Sequence, residues 1–299
     1  MVYLIYPNTD IWEYMVQGID DNEVVCKPLN SNCNILQLVF RKLFKNQKLI
    51  GCMLLGKKIR KELKSLGVGD TVLITDYVDI CLFKTIASII KPKVKKCLWI
   101  WNPVKEDERE RMCRVYDTIK RSGFEISTFD KNDAECYNNK FYNQFYRMNQ
   151  TFSNAKVDYD FYFIGLEKNR GKILGDLHNQ LKGFRCCFKV IRNHSEYIPY
   201  TENVENIKRA SCIIEIVQEG QTGMTLRPLE SLAYRKKLIS NNKSLRYLDF
   251  YNKNNVFILG LDDMTKIDEF MNSPYIPIDE EVIQKYDVLT WIGNFKNSI

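Results

Sequence analysis

The residues best suited to chemistry lie in GQTGMTLRPLESLAYRKKLISNN, residues 220–242. Gly220 and Gly223 permit a loop with backbone angles closed to other residues, and Thr225 has the side chain of a helix N-cap. Pro228 then falls in the first helical turn, where its missing N–H costs nothing. Leu226, Leu229 and Ala233 recur on one stripe, which faces a sheet, while Arg227 and Glu230, three apart, share another. A phosphate suits the free N–H groups, Thr225 and Arg227. A sugar diol one turn further on suits Glu230, whose carboxylate accepts two hydroxyl hydrogen bonds. The stretch has the composition of half a nucleotide-sugar site.

A second anion-binding pattern stands upstream in FYFIGLEKNRGKILGDL, residues 161–177. A strand ends at Gly165, a polar turn carries Lys168 and Arg170, and a helix follows; the glycine admits close backbone approach, and the two cations and the helix N-terminus supply charge. Neither the P-loop spacing nor GxGxxG is present, which removes the main support for a nicotinamide dinucleotide. DYD at 158–160 precedes its strand, so it reads as a turn into a second domain and not as a metal-binding DxD. His178 and His194 have no serine or cysteine partner arranged for a triad. With two histidines in the chain and no CxxC spacing among ten cysteines, no metal site is expected and no cofactor is implied.

The elements that must hold these groups alternate along the chain. VYLIY (2–6), TVLITD (71–76), KCLWIW (96–101) and FEISTF (124–129) read as strands. ILQLVFRKLF (35–44), ICLFKTIASII (80–90) and KEDERERMCRVYDTIKRSG (105–123) read as helices. The rhythm breaks over 130–157, a polar, asparagine- and tyrosine-rich stretch with the composition of a linker, and restarts with strands at 159–165, 184–191, 212–217, 237–240 and 255–260. The fold class is therefore α/β, with an N-terminal domain over 1–155, a second over 156–278 and a helical tail over 279–299 that packs back on the first through Trp291. In parallel sheets functional groups gather at the carboxyl ends of strands, which nominates Asp10, Asp76, Asp79 and Asn102. For a general base among them, Asp76 is the first choice and Asp10 the second.

Composition narrows the classes. Hydrophobic residues make up 45% and charged residues 27%, which excludes bulk disorder. No apolar run reaches the roughly 18 to 20 residues that span a bilayer, and the first residues lack the pattern of a signal peptide, so a cytoplasmic location is expected. The net charge of +7 is uneven: residues 41–64 hold nine Lys or Arg (Arg41, Lys42, Lys45, Lys48, Lys57, Lys58, Arg60, Lys61 and Lys64) against Glu62 alone. Apolar residues interleave with them, a pattern that suits either an amphipathic surface on anionic lipid at the inner face of the membrane or ordinary solvated helices. The aromatic residues concentrate in the strands and in 130–157, which argues against a nucleic-acid partner.

The combination of FIGLEKNRGKIL, QTGMTLRPLESLAYRKKLISNN and the final YDVLTWIG resembles GT-B glycosyltransferases of lipopolysaccharide core or capsular polysaccharide assembly. The resemblance implies two Rossmann-like domains facing each other across a cleft. It also implies a nucleotide-sugar donor on the C-terminal side, bound without metal, and a glycan or lipid-linked glycan acceptor on the N-terminal side. It matches Glu230 to the glutamate that holds the nucleotide ribose, Lys168 and Arg170 to the cations on the diphosphate, and the loop with Pro199 and Tyr200 to the nucleobase contact. Thr222 stands where the family's first motif glutamate is usual, so inverting and retaining outcomes both remain open. A non-catalytic nucleotide or nucleic-acid binder and a nucleotide-sugar epimerase are the competing classes.

Overall fold

The computed structural model of the chain describes residues 1–29, 47–76, 78–149, 156–167, 169–217 and 223–296. It divides into two compact units, Met1–Asn143 with the segment from Trp291 onward, and Gln144–Thr290. Each unit is an α/β layer structure on one parallel sheet.

In the first unit the strands are β1 (Val2–Pro7), β2 (Val24–Leu29), β3 (Thr71–Thr75), β4 (Lys95–Ile100), β5 (Glu125–Thr128) and β6 (Lys140–Phe141). They lie in the order β2-β1-β3-β4-β5-β6, each pairing parallel. The described helices are α1 (Asp10–Val16), α2 (Gln47–Ser65), α3 (Ile80–Ile89), α4 (Arg109–Arg121) and α5 (Lys131–Cys136). A parallel sheet buries both faces, so its central strands β1 and β3 are buried along almost their whole length. Tyr3, Ile5, Val72, Ile74 and Leu98 pack into one core with Leu55 and Leu63 of α2, Phe83 and Ile86 of α3 and Ile119 of α4. On the other face Trp99 meets Trp291 and Phe295 at ring distances of 5.4 and 6.5 Å, and Trp12 of α1 meets Trp291 at 6.1 Å. Trp291 is thus the anchor of the C-terminal segment.

Helix α2 lies against α3 at Gly51, where a Cβ would overlap the Thr85 hydroxyl and approach the Cys81 carbonyl oxygen to 2.5 Å. Gly51→Ala is therefore expected to cost about 1 to 3 kcal/mol through overpacking, read as a lower urea midpoint with an unchanged slope.

The second unit carries β7 (Tyr159–Leu166), β8 (Cys186–Ile191), β9 (Ala210–Glu215), β10 (Lys237–Ser240) and β11 (Val256–Ile258) in the order β11-β10-β9-β7-β8, again parallel. Helices α6 (Gly171–Gln180), α7 (Tyr200–Lys208), α8 (Leu226–Ala233), α9 (Ile267–Asn272), α10 (Glu280–Gln284) and α11 (Val288–Gly293) complete it, the last running into the first unit's C-terminal segment. Leu174 and Leu177 of α6 and Phe270 of α9 join Phe161, Phe163, Ile214 and Ile239 in one core, while α7 packs on β7 and β9, and α8 on β9 and β10.

Both sheets place their first strand between the second and third. The strand order reverses at β1/β3 and at β7/β9, and the carboxyl ends of those pairs are where such sheets bind ligands. Helix α5 and β6 extend the first unit into the stretch whose polarity suggests a linker, but the division falls after Asn143, earlier than residue 155, because the chain beyond it bonds to the second unit: the Tyr146 N–H donates to the Tyr286 carbonyl at 2.8 Å and the Met148 N–H to the Asp287 carboxylate at 3.0 Å. Residues 279–290 belong to the second unit, so the tail joins the first only from Trp291. Helix 35–44, Arg41, Lys42, Lys45, the Lys48 side chain and Lys168 lie outside the described residues, as do Gly220 and Thr222. Among the described residues no helix is long and apolar enough to cross a membrane.

Candidate functional site

The β7/β9 switch point brings together Arg170 of one motif and Arg227 of the other. After β7 the chain turns through Asn169, at φ +63, with the Arg170 N–H donating to the Glu167 carbonyl at 2.7 Å. The Arg170 side chain folds back over the strand end: Nη1 donates to the Ile216 carbonyl at 2.7 Å, and Nε to the Leu166 carbonyl at 3.2 Å. Its guanidinium stands 5.7 Å from the Phe163 ring centroid. Gly165 makes this path possible, since a Cβ there would come 3.0 Å from Arg170 Nη2 and 3.3 Å from Phe163.

From the other side comes α8. Thr225 is its N-cap, accepting the Arg227 N–H at 3.2 Å, and its own hydroxyl donates to the Glu215 carboxylate. Gly223 is buried just ahead of the cap. Arg227 Nη2 donates to the Ile164 carbonyl at 2.9 Å, and Nη1 forms an ion pair with Glu230. Burial works against the Arg227 charge, but Glu230 beside it outweighs this and holds the guanidinium more firmly protonated than an ordinary arginine. Arg170 is shifted the opposite way, first by burial and then by the positive charge of Arg227. The two guanidinium groups thus stand near enough at the strand switch for the charge of Arg227 to act on Arg170, with the Arg227 side chain a fifth exposed.

Glu230 does not present its carboxylate to solvent; it is fully buried. One oxygen accepts the Tyr200 hydroxyl at 2.6 Å and the Asn203 amide at 3.3 Å, and the other meets Arg227. Tyr200 in turn lies 3.1 Å from the Tyr146 hydroxyl, and Asn203 accepts from Tyr162 at 3.1 Å. Tyr200 is thus a buried residue that positions Glu230, its phenol held well above its usual pKa by burial, and it offers no free ring to a nucleobase. Pro199 is exposed at the start of α7.

Glu215, at the end of β9, is a site residue not singled out by spacing. It is 2% exposed, accepts from the Ser240 hydroxyl at 2.5 Å as well as from Thr225, and burial raises its pKa. Its signal was present: an acid inside the apolar run CIIEIV must be paired or hydrogen-bonded when buried. Beside the switch point, a cavity of about 460 Å³ opens at the ends of β7 and β8, lined by Leu166, Asn169 and Ile191 with Lys172 and with Arg192, whose guanidinium pairs with the Glu167 carboxylate at 3.3 Å on the same wall. Its size suits part of a small ligand.

In the first unit the corresponding position is held by Asp76. Its φ is +51, a left-handed conformation uncommon for residues other than glycine and asparagine and often found at functional sites. Its N–H donates to the Trp99 carbonyl at 2.8 Å, while its carboxylate accepts the Asn102 amide at 3.1 and 3.0 Å and the Trp101 N–H at 3.4 Å. Burial raises its pKa, with the Asn102 and Trp101 bonds opposing. Asp10 opens α1 after β1, its carboxylate accepting the Ile11 N–H at 2.9 Å. Asp79 is the N-cap of α3, accepting the Cys81 N–H at 2.8 Å, so its place after β3 is explained by capping.

The remaining motifs resolve into local pairs. Asp160 pairs with Arg185 at 2.7 Å and Asp158 with Arg209 at 2.6 Å, which gives DYD a structural use. The His178 ring stands 5.0 Å from Phe188. Among the described residues no group of three His, Cys, Asp or Glu is placed to hold a metal ion. No family model matches the chain, and no curated protein sequence matches it.

Proposed function

We propose that the chain is a glycosyltransferase of the GT-B type, moving a sugar from a nucleotide-activated donor to a surface glycan or its lipid-linked precursor without a metal ion. The observation that carries the reading is the convergence of Arg170 and Arg227 with the capped start of α8 at the β7/β9 switch point. Such a transfer breaks the bond between the anomeric carbon and a phosphate oxygen, leaving charge on the phosphate. Preorganised guanidinium and N–H groups stabilise that charge at the moment it develops. Lys172 adds a positive charge at the neighbouring cavity, where Arg192 is already paired with Glu167.

In this reading Glu230 serves Arg227. For it to hold a ribose as well, its carboxylate would have to release Tyr200 or Asn203. Asp76 is the proposed base of the first unit, on the grounds of its strained backbone and its raised pKa.

Thermal unfolding of the full chain with UDP, GDP, CDP, CMP and dTDP tests the donor site. One of these is expected to raise the melting temperature, and Arg170→Ala to weaken that nucleotide about ten- to hundredfold, the loss of a charge-assisted contact. Stabilisation by none, or by one indifferent to Arg170→Ala, would remove the support for a donor site here.

A further inference from the structure

Of the apolar residues interleaved in the basic segment, Leu54, Leu55 and Ile59 are buried with Leu63 in the first unit's own core, and Ile50 packs against it, so among its described side chains α2 exposes no large apolar group for insertion into lipid. What it leaves outside is lysine. Lys57, Lys58, Lys61 and Lys64 are exposed along α2; Lys84 is exposed on the neighbouring α3, and Lys91 and Lys93 in the turn that follows it. Over residues 50–98 the four acids are Glu62, Asp70, Asp76 and Asp79, and none of them is exposed. Asp70 pairs with the N-terminal amine, Glu62 accepts from the Tyr3 hydroxyl, and the other two hold backbone or amide groups.

We infer that this lysine face docks the first unit on an anionic phospholipid surface by electrostatics alone. The chemistry of the patch selects that partner. Lysine ammonium groups are hydrated point charges on flexible stems, suited to a field of mobile headgroups; a fixed phosphate would favour the arginine fork. Among the described residues of 50–98 no aromatic side chain is exposed for the bases of a single strand to stack on. The inference stands on charge placement and is independent of the sugar-transfer reading.

The test is co-sedimentation of the full chain with vesicles of phosphatidylcholine, with and without phosphatidylglycerol, at low and high salt. Binding only to the anionic vesicles is expected, falling as salt shortens the screening length. Lys57→Gln, Lys58→Gln, Lys61→Gln and Lys64→Gln together should lower the partition coefficient by at least about a hundredfold. The same positions changed to Arg should keep it. Lys243→Gln, Arg246→Gln, Lys253→Gln and Lys266→Gln in the second unit remove the same charge and should leave most of the binding. If the α2 set proves unstable, Lys91→Gln with Lys93→Gln gives a smaller loss by the same route. Equal binding to neutral vesicles, no binding to anionic ones, or an equal loss from the second-unit set overturns the inference. So does lysine-dependent binding to a single-stranded oligonucleotide tighter than to vesicles. No nucleotide or sugar enters this experiment, so its failure leaves the donor-site test untouched.

Discussion

Glu230→Ala is expected to lower the stability of the second unit by about 3 to 5 kcal/mol, because it leaves the Arg227 guanidinium buried without its counter-charge. Three hydrogen-bonding partners lose their acceptor at once: Arg227, Tyr200 and Asn203. For a unit of this size the change corresponds to a drop of roughly 6 to 20 °C in melting temperature. A buried ion pair is weak evidence of net stabilisation, since both charges must first be desolvated. Arg227→Met combined with Glu230→Leu should therefore recover most of what Glu230→Ala loses, and the double-mutant cycle should show strong coupling. A melting curve for Glu230→Ala that overlays the parent would mean that the network contributes little. The same reasoning governs tests of ligand binding: loss of nucleotide binding in a Glu230 or Arg227 variant does not separate a lost contact from a lost fold, whereas Arg170 lies at the margin of the network and reports on the site itself.

Much of the fold was legible because buried parallel strands leave a direct trace. VYLIY, TVLIT and CLWI are apolar at consecutive positions, and helical periodicity separates them. Strand β2 left a weaker trace, since VVCKPL carries Lys27 and Pro28. A proline removes a ladder donor, which a strand at the sheet edge tolerates, and β2 is such an edge. Helix α5 and strand β6 were hidden by composition: Asp130 caps α5 by accepting the Asp133 N–H at 3.0 Å, and β6 has only two residues to pair.

The local arrangement of residues 223–230 was legible, the direction of its groups less so. Spacing puts Arg227 and Glu230 on one face and Thr225 at the cap, and the structure shows both. The reasoning that turned Glu230 toward a ligand assumed a helix with one wet face. Helix α8 has none over its second half: Pro228, Leu229, Glu230, Ser231, Leu232 and Ala233 are all buried. Its polar stripe is met by Tyr200 and Asn203 of α7, and nothing local to residues 220–242 foretells that neighbour. Long-range packing decided the role of the glutamate.

Asp76→Asn is expected to reduce sugar transfer by about 10² to 10⁴-fold, the usual contribution of a positioned base, while leaving nucleotide-induced stabilisation intact. Asparagine is the substitution of choice because it tolerates the left-handed backbone and keeps an acceptor for the Trp101 N–H. Its effect on stability has a definite sign. Burial raises the pKa of Asp76 in the folded state above that of the unfolded chain. Between those two values the folded state holds the extra proton, so stability falls as pH rises through that window and is level above it. The variant has no such titration and should melt at or above the parent temperature near neutral pH, with the difference vanishing in acid. The parent's transfer rate should rise with pH as the carboxyl ionises, and Asn102→Ala, which removes the hydrogen bond that favours the ionised form, should move that rise to higher pH. Activity is read with the sugar ester of the nucleotide that stabilises the chain. A variant that transfers at the parent rate would pass the role of base to Asp10; one that loses rate and melting temperature together would make Asp76 a residue of the fold.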